Sequence, residues 1–247
     1  MDQQELLRQV LGQTRSSESA RRKNEEPPPA EKQPPEGAKL LPLPEPELLP
    51  DTQVNFLELI ELRTTQRKYS GESLTSKDLS YLLWCTQGVK MAMPNGGSRR
   101  NVPSAGARHA FETYLFVQRV EGLPAGFYRF LAFEHALLPL QELSATTDAR
   151  EDFLSSFHSR PVVENSAVTF VWAAEPERML YPYGARGIRY LYLDAGHVCE
   201  NLYLAAESMR LGACALGAFE DEQLGTALGL DQANGEFAIY GAAVGKL

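Results

Sequence analysis

Three residues near the start of the folded region alternate in a way that suits an anion. Arg63, Thr65 and Arg67 stand in Arg63-Thr64-Thr65-Gln66-Arg67, so an extended backbone sends all three side chains to one side. A guanidinium offers a planar fork of donors and a threonine hydroxyl adds one directed bond, which together suit a phosphate. The same pattern describes solvated arginines after a helix, and spacing alone leaves both readings open. A second segment offers shape instead of charge. Asn101 to Phe130 opens with Pro103-Ser104-Ala105-Gly106-Ala107, small residues against which a ligand can lie close to the backbone. A loop of this kind feeding a buried strand is one way to hold a flat cofactor.

The other reactive side chains are sparse. His109 stands at the junction of that loop with the strand after it and is the histidine best placed for a chemical role. His197 and Asp194 are three apart on an apolar helix, which reads as a satisfied core histidine. Arg186 and Arg189 suit either a dinucleotide phosphate at an entrance or a surface or interface salt bridge. No Ser-His-Asp or Cys-His set and no metal-ligand cluster is visible. Cys85, Cys199 and Cys214 are odd in number and widely spaced, so they read as buried free thiols in a reducing compartment.

These residues need elements to position them. Phe56, Leu59 and Ile60 have helical spacing behind Asn55 as N-cap, giving a short helix to Leu62. Thr75 and Asp78 approximate a capping box for a helix from Ser76 to Gln87, ended by Gly88. Residues 91–101 read as a polar, Gly-rich loop. Thr113–Val117 and Gly126–Phe130 are strands of a hairpin-like unit, followed by a strand near Ala136–Leu140 and a helix around Asp148–Phe157. Ala167–Ala174 is continuously apolar, as a central strand covered on both faces must be. Ile188–Leu211 is a long helix, apolar round most of its circumference and therefore buried, with Gly212 as its stop. Two further strands, Ala213–Phe219 and Glu236–Gly245, flank a helix at Asp221–Leu228. Strands and helices alternate without a strict βαβ repeat, so the fold class is α+β.

Composition divides the 247 residues in two. Residues 1–50 hold nine of the 16 prolines and no aromatic residue. Such a stretch cannot bury enough apolar surface to offset roughly 1–2 kcal/mol of backbone entropy per ordered residue. It is expected to be a disordered or extended arm, with a frayed helix over Gln4–Leu11, and residues 51–247 to form one domain. A net charge of −8 without a basic stripe argues against nucleic acid. No apolar run matches a signal peptide or a membrane span, so a cytoplasmic location is expected.

RTTQRKY, the PSAGARH loop, VEGLPAGFYRF, YGARGIRY with DAGHVCENLYLAAE, RLGACALGAF and a terminal VGK stand in the order seen in the nitroreductase superfamily. The chain resembles that superfamily over roughly residues 40–247, and most resembles its SagB-type (azoline) dehydrogenase branch. The resemblance implies a nitroreductase-like fold: a central mixed or antiparallel sheet packed by helices, with a long buried core helix. It implies an FMN-dependent oxidoreductase, with NAD(P)H as electron donor, a small-molecule acceptor resembling a nitroaromatic or quinone, and a homodimer with FMN at the interface. By the same resemblance Arg63, Thr65 and Arg67 hold the phosphate and ribityl chain. Pro103, Ser104, Ala105 and Gly106 lie beside the flavin ring, often supplied by the other subunit. Leu216 and Gly217 turn a backbone N–H towards flavin N5, and Lys246 approaches the phosphate. His109 and Tyr183 remain candidates for proton transfer. Azoline dehydrogenases carry a Lys-Tyr pair where this chain has Pro182-Tyr183. An azoline dehydrogenase acting on a peptide is one alternative, and a non-catalytic flavin-binding protein, with the arm as a docking segment, is another.

Overall fold

The computed structural model describes residues 2–15, 26–47, 55–94, 96–142 and 147–247. Seven strands form one sheet, and all of its ladders are antiparallel. They are β1 (Leu41–Pro42), β4 (Phe111–Val117), β5 (Gly126–Leu131), β6 (Ala136–Glu142), β7 (Val168–Ala174), β8 (Leu211–Leu216) and β9 (Phe237–Lys246), in the order β1-β6-β5-β4-β7-β9-β8. β7 sits between β4 and β9 with every residue buried, as its unbroken apolar sequence requires.

The period-2 alternation of the central strands builds two cores. Leu115 and Val117 of β4 and Phe170 and Trp172 of β7 face one side, where α3 (Ser76–Gln87) and α7 (Arg186–Ser208) pack. Tyr114, Phe116, Val171 and Ala173 face the other, covered by α4 (Thr147–Ser155), α5 (Arg160–Asn165) and α8 (Asp221–Ala227). The Thr75–Asp78 capping box of α3 forms on both sides: Asp78 N–H donates to Thr75 Oγ1 and Thr75 N–H to Asp78 Oδ2. α2 (Phe56–Leu62) is capped by Asn55, whose side chain accepts from Leu57 N–H at 3.0 Å.

Several expectations are corrected. Residues expected to be a polar loop pair as a hairpin, β2 (Val89–Ala92) with β3 (Ser98–Arg100). α6 (Pro176–Tyr183), which carries Pro182 within it, fills a stretch with no assigned element. α7 ends at Ser208, and Gly212 lies inside β8, where Gln66 and Tyr69 crowd the place a Cβ would take. In this chain α7 also leaves one side uncovered, with Ile188, Tyr192 and Leu193 exposed.

The arm is only partly as expected. α1 (Gln3–Gln13) is the short helix, and residues 26–47 are without regular secondary structure apart from β1. They are nevertheless held against residues 51–247: β1 adds an edge to the sheet, and Glu31 is buried. The expected boundary at residue 50 is therefore not where contacts stop. Polar long-range bonds hold this segment, which a count of apolar residues does not register.

Candidate functional site

α2 ends at Arg63, whose ψ of 115° turns the chain into an extended segment. That segment is tied to two strands. Thr65 bridges Ala213 of β8, and Gln66 N–H donates to the Ala213 carbonyl at 2.9 Å. Ser70 N–H then donates to the Lys246 carbonyl at the end of β9, also at 2.9 Å. The alternating triplet is thus fixed along one edge of the sheet. The Arg63 guanidinium lies over the Tyr203 ring of α7, 5.4 Å from its centre, a cation–π distance. Thr65 Oγ1 is 3.2 Å from Tyr203 Oη, which accepts from Ala215 N–H at 2.7 Å. With its lone pair engaged there, Tyr203 can donate to Thr65 and leave the threonine proton for an anion.

Arg67 reaches the Cys214 thiol; burial pushes that thiol up and Arg67 opposes the shift. Lys246 Nζ stands 3.9 Å from Glu72 and is otherwise partly open to solvent. Neither Arg63 nor Arg67 is ion-paired with a carboxylate among the described residues. Leu216 and Gly217 lie at the far end of β8. Lys246 pairs with Leu211, so the two ends are roughly 16 Å apart along the strand at about 3.3 Å per residue. Gly217 stands beside the Tyr240 ring.

The small-residue loop is built separately. Ala105 N–H points between the Asp194 carboxylate oxygens, 3.3 Å from each, and Ser104 Oγ accepts from His109 N–H at 2.9 Å. Asp194 is almost fully buried; burial raises its pKa, and its bonds to Ser104 and Ala105 work against that. Gly106 has φ +58°, and a Cβ there would sit 2.2 Å from Tyr183 Oη, so only glycine admits the tyrosine. Tyr183 closes α6 and packs edge-on against Tyr190.

His109 is buried at φ +45°, and its pKa is pushed down to about 3 by burial and then by the Arg100 charge. It is a neutral donor at physiological pH. His197, expected in the core, is half exposed, 3.8 Å from Asp194. In that pair Asp194 is the buried, organising member.

Within one chain the two groups do not meet. Asp194 and Tyr203 are nine residues apart on α7, roughly 13 Å along its axis. Arg186 and Arg189 donate to the Thr14 carbonyl (2.9 Å) and hydroxyl (2.8 Å) at the end of α1. Sequence reasoning missed Tyr203 and read Asp194 only as the partner of His197, because the apolar pattern of α7 conceals both roles. It also missed a cleft of about 580 Å³ between α2, α3 and α7, lined by Phe56, Leu59, Tyr81, Trp84, Asn201 and Leu204.

The model of the nitroreductase family matches residues 60–246. The chain belongs to the nitroreductase family. A Methanocaldococcus jannaschii protein named as a nitroreductase is 29% identical over 177 residues, 71% of this chain and 85% of that protein. The trifolitoxin-processing protein TfxB of Rhizobium leguminosarum bv. trifolii is 30% identical over 135 residues, 54% of this chain. This chain spans only 36% of TfxB. Among solved structures, a chain of the E. coli microcin synthetase McbBCD complex, with truncated pro-MccB17 bound, shares the fold. Its TM-score is 0.62 at 21% identity, over 82% of this chain and 78% of that one. Among the described residues no His, Cys, Asp and Glu group could hold a metal, and no helix is long and apolar enough to cross a membrane.

Proposed function

We propose that the protein is an FMN-dependent oxidoreductase that takes a hydride from NAD(P)H and passes it to a small oxidised acceptor, nitroaromatic- or quinone-like, in two successive half-reactions. Family membership supports a flavin oxidoreductase. The observation that carries the cofactor is the edge of β8. Arg63, Thr65, Arg67 and Lys246 gather three cations and a hydroxyl with no buried carboxylate among the described residues to neutralise them, while the strand leads to an uncharged turn at Leu216–Gly217. A ligand with an anionic tail and a flat head fits that polarity.

FMN, when bound, supplies the two-electron chemistry. The chain's own residues would do the rest. Arg63, Arg67 and Lys246 would bind the phosphate, Thr65 would donate to it, and Tyr203 would orient Thr65. The Leu216–Gly217 backbone would offer a fixed N–H where negative charge develops on reduction. The Pro103–Gly106 loop, held by Asp194, would lie over the ring in a second copy. That arrangement accounts for the separation of the two groups along α7 and for the apolar side chains exposed on α2 and α7, among them Phe56, Leu57, Ile60, Tyr192 and Leu193.

The test is a visible absorption spectrum of the protein reconstituted with FMN, followed by anaerobic titration with NADH and NADPH. Binding and bleaching are expected; a protein that binds no FMN sinks the reading. The TfxB similarity favours a second reading, dehydrogenation of an azoline ring in a peptide. Pro182 stands where that chemistry has lysine, which leaves Tyr183 alone for the proton. Bleaching by a thiazoline peptide, without either nicotinamide, would favour it.

A further inference from the structure

The segment Pro29–Gln33 is held in a way that ordinary loop packing does not need. Arg178 Nε donates to the Pro29 carbonyl at 2.8 Å and Arg100 Nη2 to the Ala30 carbonyl at 3.5 Å. Arg129 Nη2 donates to the Lys32 carbonyl at 3.0 Å and to the Gln33 carbonyl at 3.4 Å. In the other direction Lys32 N–H donates to Glu112 Oε1 at 2.8 Å. The host side chains come from β3, β4, β5 and α6, and Arg100, Glu112, Arg129 and Arg178 are each no more than 6% exposed. The main chain of a five-residue stretch, bent at Ala30 and Glu31, is thus read by buried charges of both signs.

The two side chains of the stretch are read as well. Glu31 accepts from Ala132 N–H at 2.6 Å; burial and the neighbouring Glu112 push its pKa up to about 7, against the Ala132 bond and the Arg100 charge. The Lys32 ammonium pairs with Glu236 and lies 3.4 Å from Glu175. The slot therefore offers a backbone donor flanked by Arg100 and Glu112 at one end and the carboxylates of Glu175 and Glu236 at the other, and a glutamate followed by lysine matches that order. Without an occupant, three guanidiniums would lose these carbonyl partners. Even now Arg129 Nε and Arg178 Nη1 have no hydrogen-bond partner among the described residues. Prolines at 27–29 and 34–35 stiffen both flanks, which lowers the entropy lost on docking.

We propose that this slot is a peptide-binding site for a segment in which an acidic residue is followed by lysine, with residues 29–33 as its resident occupant. A peptide of that pattern, presented in trans, competes for the slot. The inference is independent of the flavin reading, since none of the slot residues belongs to the proposed phosphate site.

The full-length chain tests it. Reversing the pair, Glu31→Lys with Lys32→Glu, spoils the fit of the arm and leaves the slot intact. A fluorescein-labelled peptide of residues 26–36 is then titrated by fluorescence anisotropy. It should bind the reversed chain at least about tenfold more tightly than the unaltered chain, where the tethered arm competes at an effective concentration of about millimolar. The same peptide with its pair reversed should bind at least tenfold more weakly. A second variant, Glu31→Gln with Lys32→Gln, serves if circular dichroism shows the reversed chain unfolded. Hydrogen exchange on the unaltered chain is a separate readout, in which the Lys32 amide should be protected. Equal binding to unaltered and folded variant chains, indifference to the order of the pair, or a Lys32 amide exchanging at the rate of an unstructured peptide would each overturn the proposal.

Discussion

Thr65 and Tyr203 face each other across 3.2 Å, one from the extended segment after α2 and the other from the C-terminal third of α7. Their hydroxyls link three elements, because Tyr203 also accepts from Ala215 N–H in β8. Tyr203→Phe removes both bonds and strands a backbone donor. The expected loss of stability is about 1–3 kcal/mol, read from urea unfolding. Thr65→Ala keeps the bond to Ala215 and should cost less than half as much. Equal losses in the two variants would show that Tyr203 does not anchor β8.

The charges of the same cluster should act on cofactor binding and little on folding. Arg63→Ala and Arg67→Ala each remove a charge-assisted contact worth about 1.5–3 kcal/mol, hence weaken FMN binding by about ten- to a hundredfold. Isothermal titration or flavin fluorescence quenching measures this directly. Unchanged affinity in both variants would remove the phosphate assignment. Lys246→Ala should have the smaller effect, since its ammonium already has Glu72 at 3.9 Å.

Gly106 and Tyr183 form a steric pair. Gly106→Ala would set a methyl 2.2 Å from Tyr183 Oη and demand φ +58° of alanine. The backbone part costs about 1–2 kcal/mol, and displacement of the tyrosine adds to it. In a double-mutant cycle, Tyr183→Phe should recover the steric part, because the hydroxyl is the atom in the way, and leave the backbone part. No recovery would mean that the loop and α6 are not in contact.

What could be read in the residues depends on how each element is stabilised. The Thr75–Asp78 box and the Asn55 cap are local and were legible. So was β7, whose burial on both faces leaves an unbroken apolar run. The β2–β3 hairpin was not, because β2 buries no residue fully and the buried positions of β3 are the polar Ser98 and Arg100. α6 was hidden by Pro176 and Pro182, residues that usually mark a break. The Arg63-Thr64-Thr65-Gln66-Arg67 alternation gave three members of the candidate site, since spacing along one strand-like segment is enough to align them. Asp194 and Tyr203 could not be found that way. Each lies on a helix whose composition reports packing, and their partners are 89 and 138 residues away.

The pH dependence of folding should carry the mark of His109. Its pKa is about 3 in the folded protein, lowered by burial and then by Arg100, against about 6.5 in an unfolded chain. Between those values the unfolded chain binds a proton that the folded chain refuses. The stabilisation is therefore complete above about pH 6.5 and is lost as pH falls towards 3. Other groups titrate in the same window: burial raises Glu31 to about 7, which acts in the opposite sense. The measurement must accordingly be a difference. His109→Gln keeps a donor for the Ser98 carbonyl but cannot be protonated. Urea unfolding at several pH values should show the unaltered protein losing stability more steeply than the variant between pH 6.5 and 4, with a gap of several kcal/mol opening across that range. Parallel curves would mean that His109 is solvated, and would return it to the list of proton-transfer candidates that its burial now argues against.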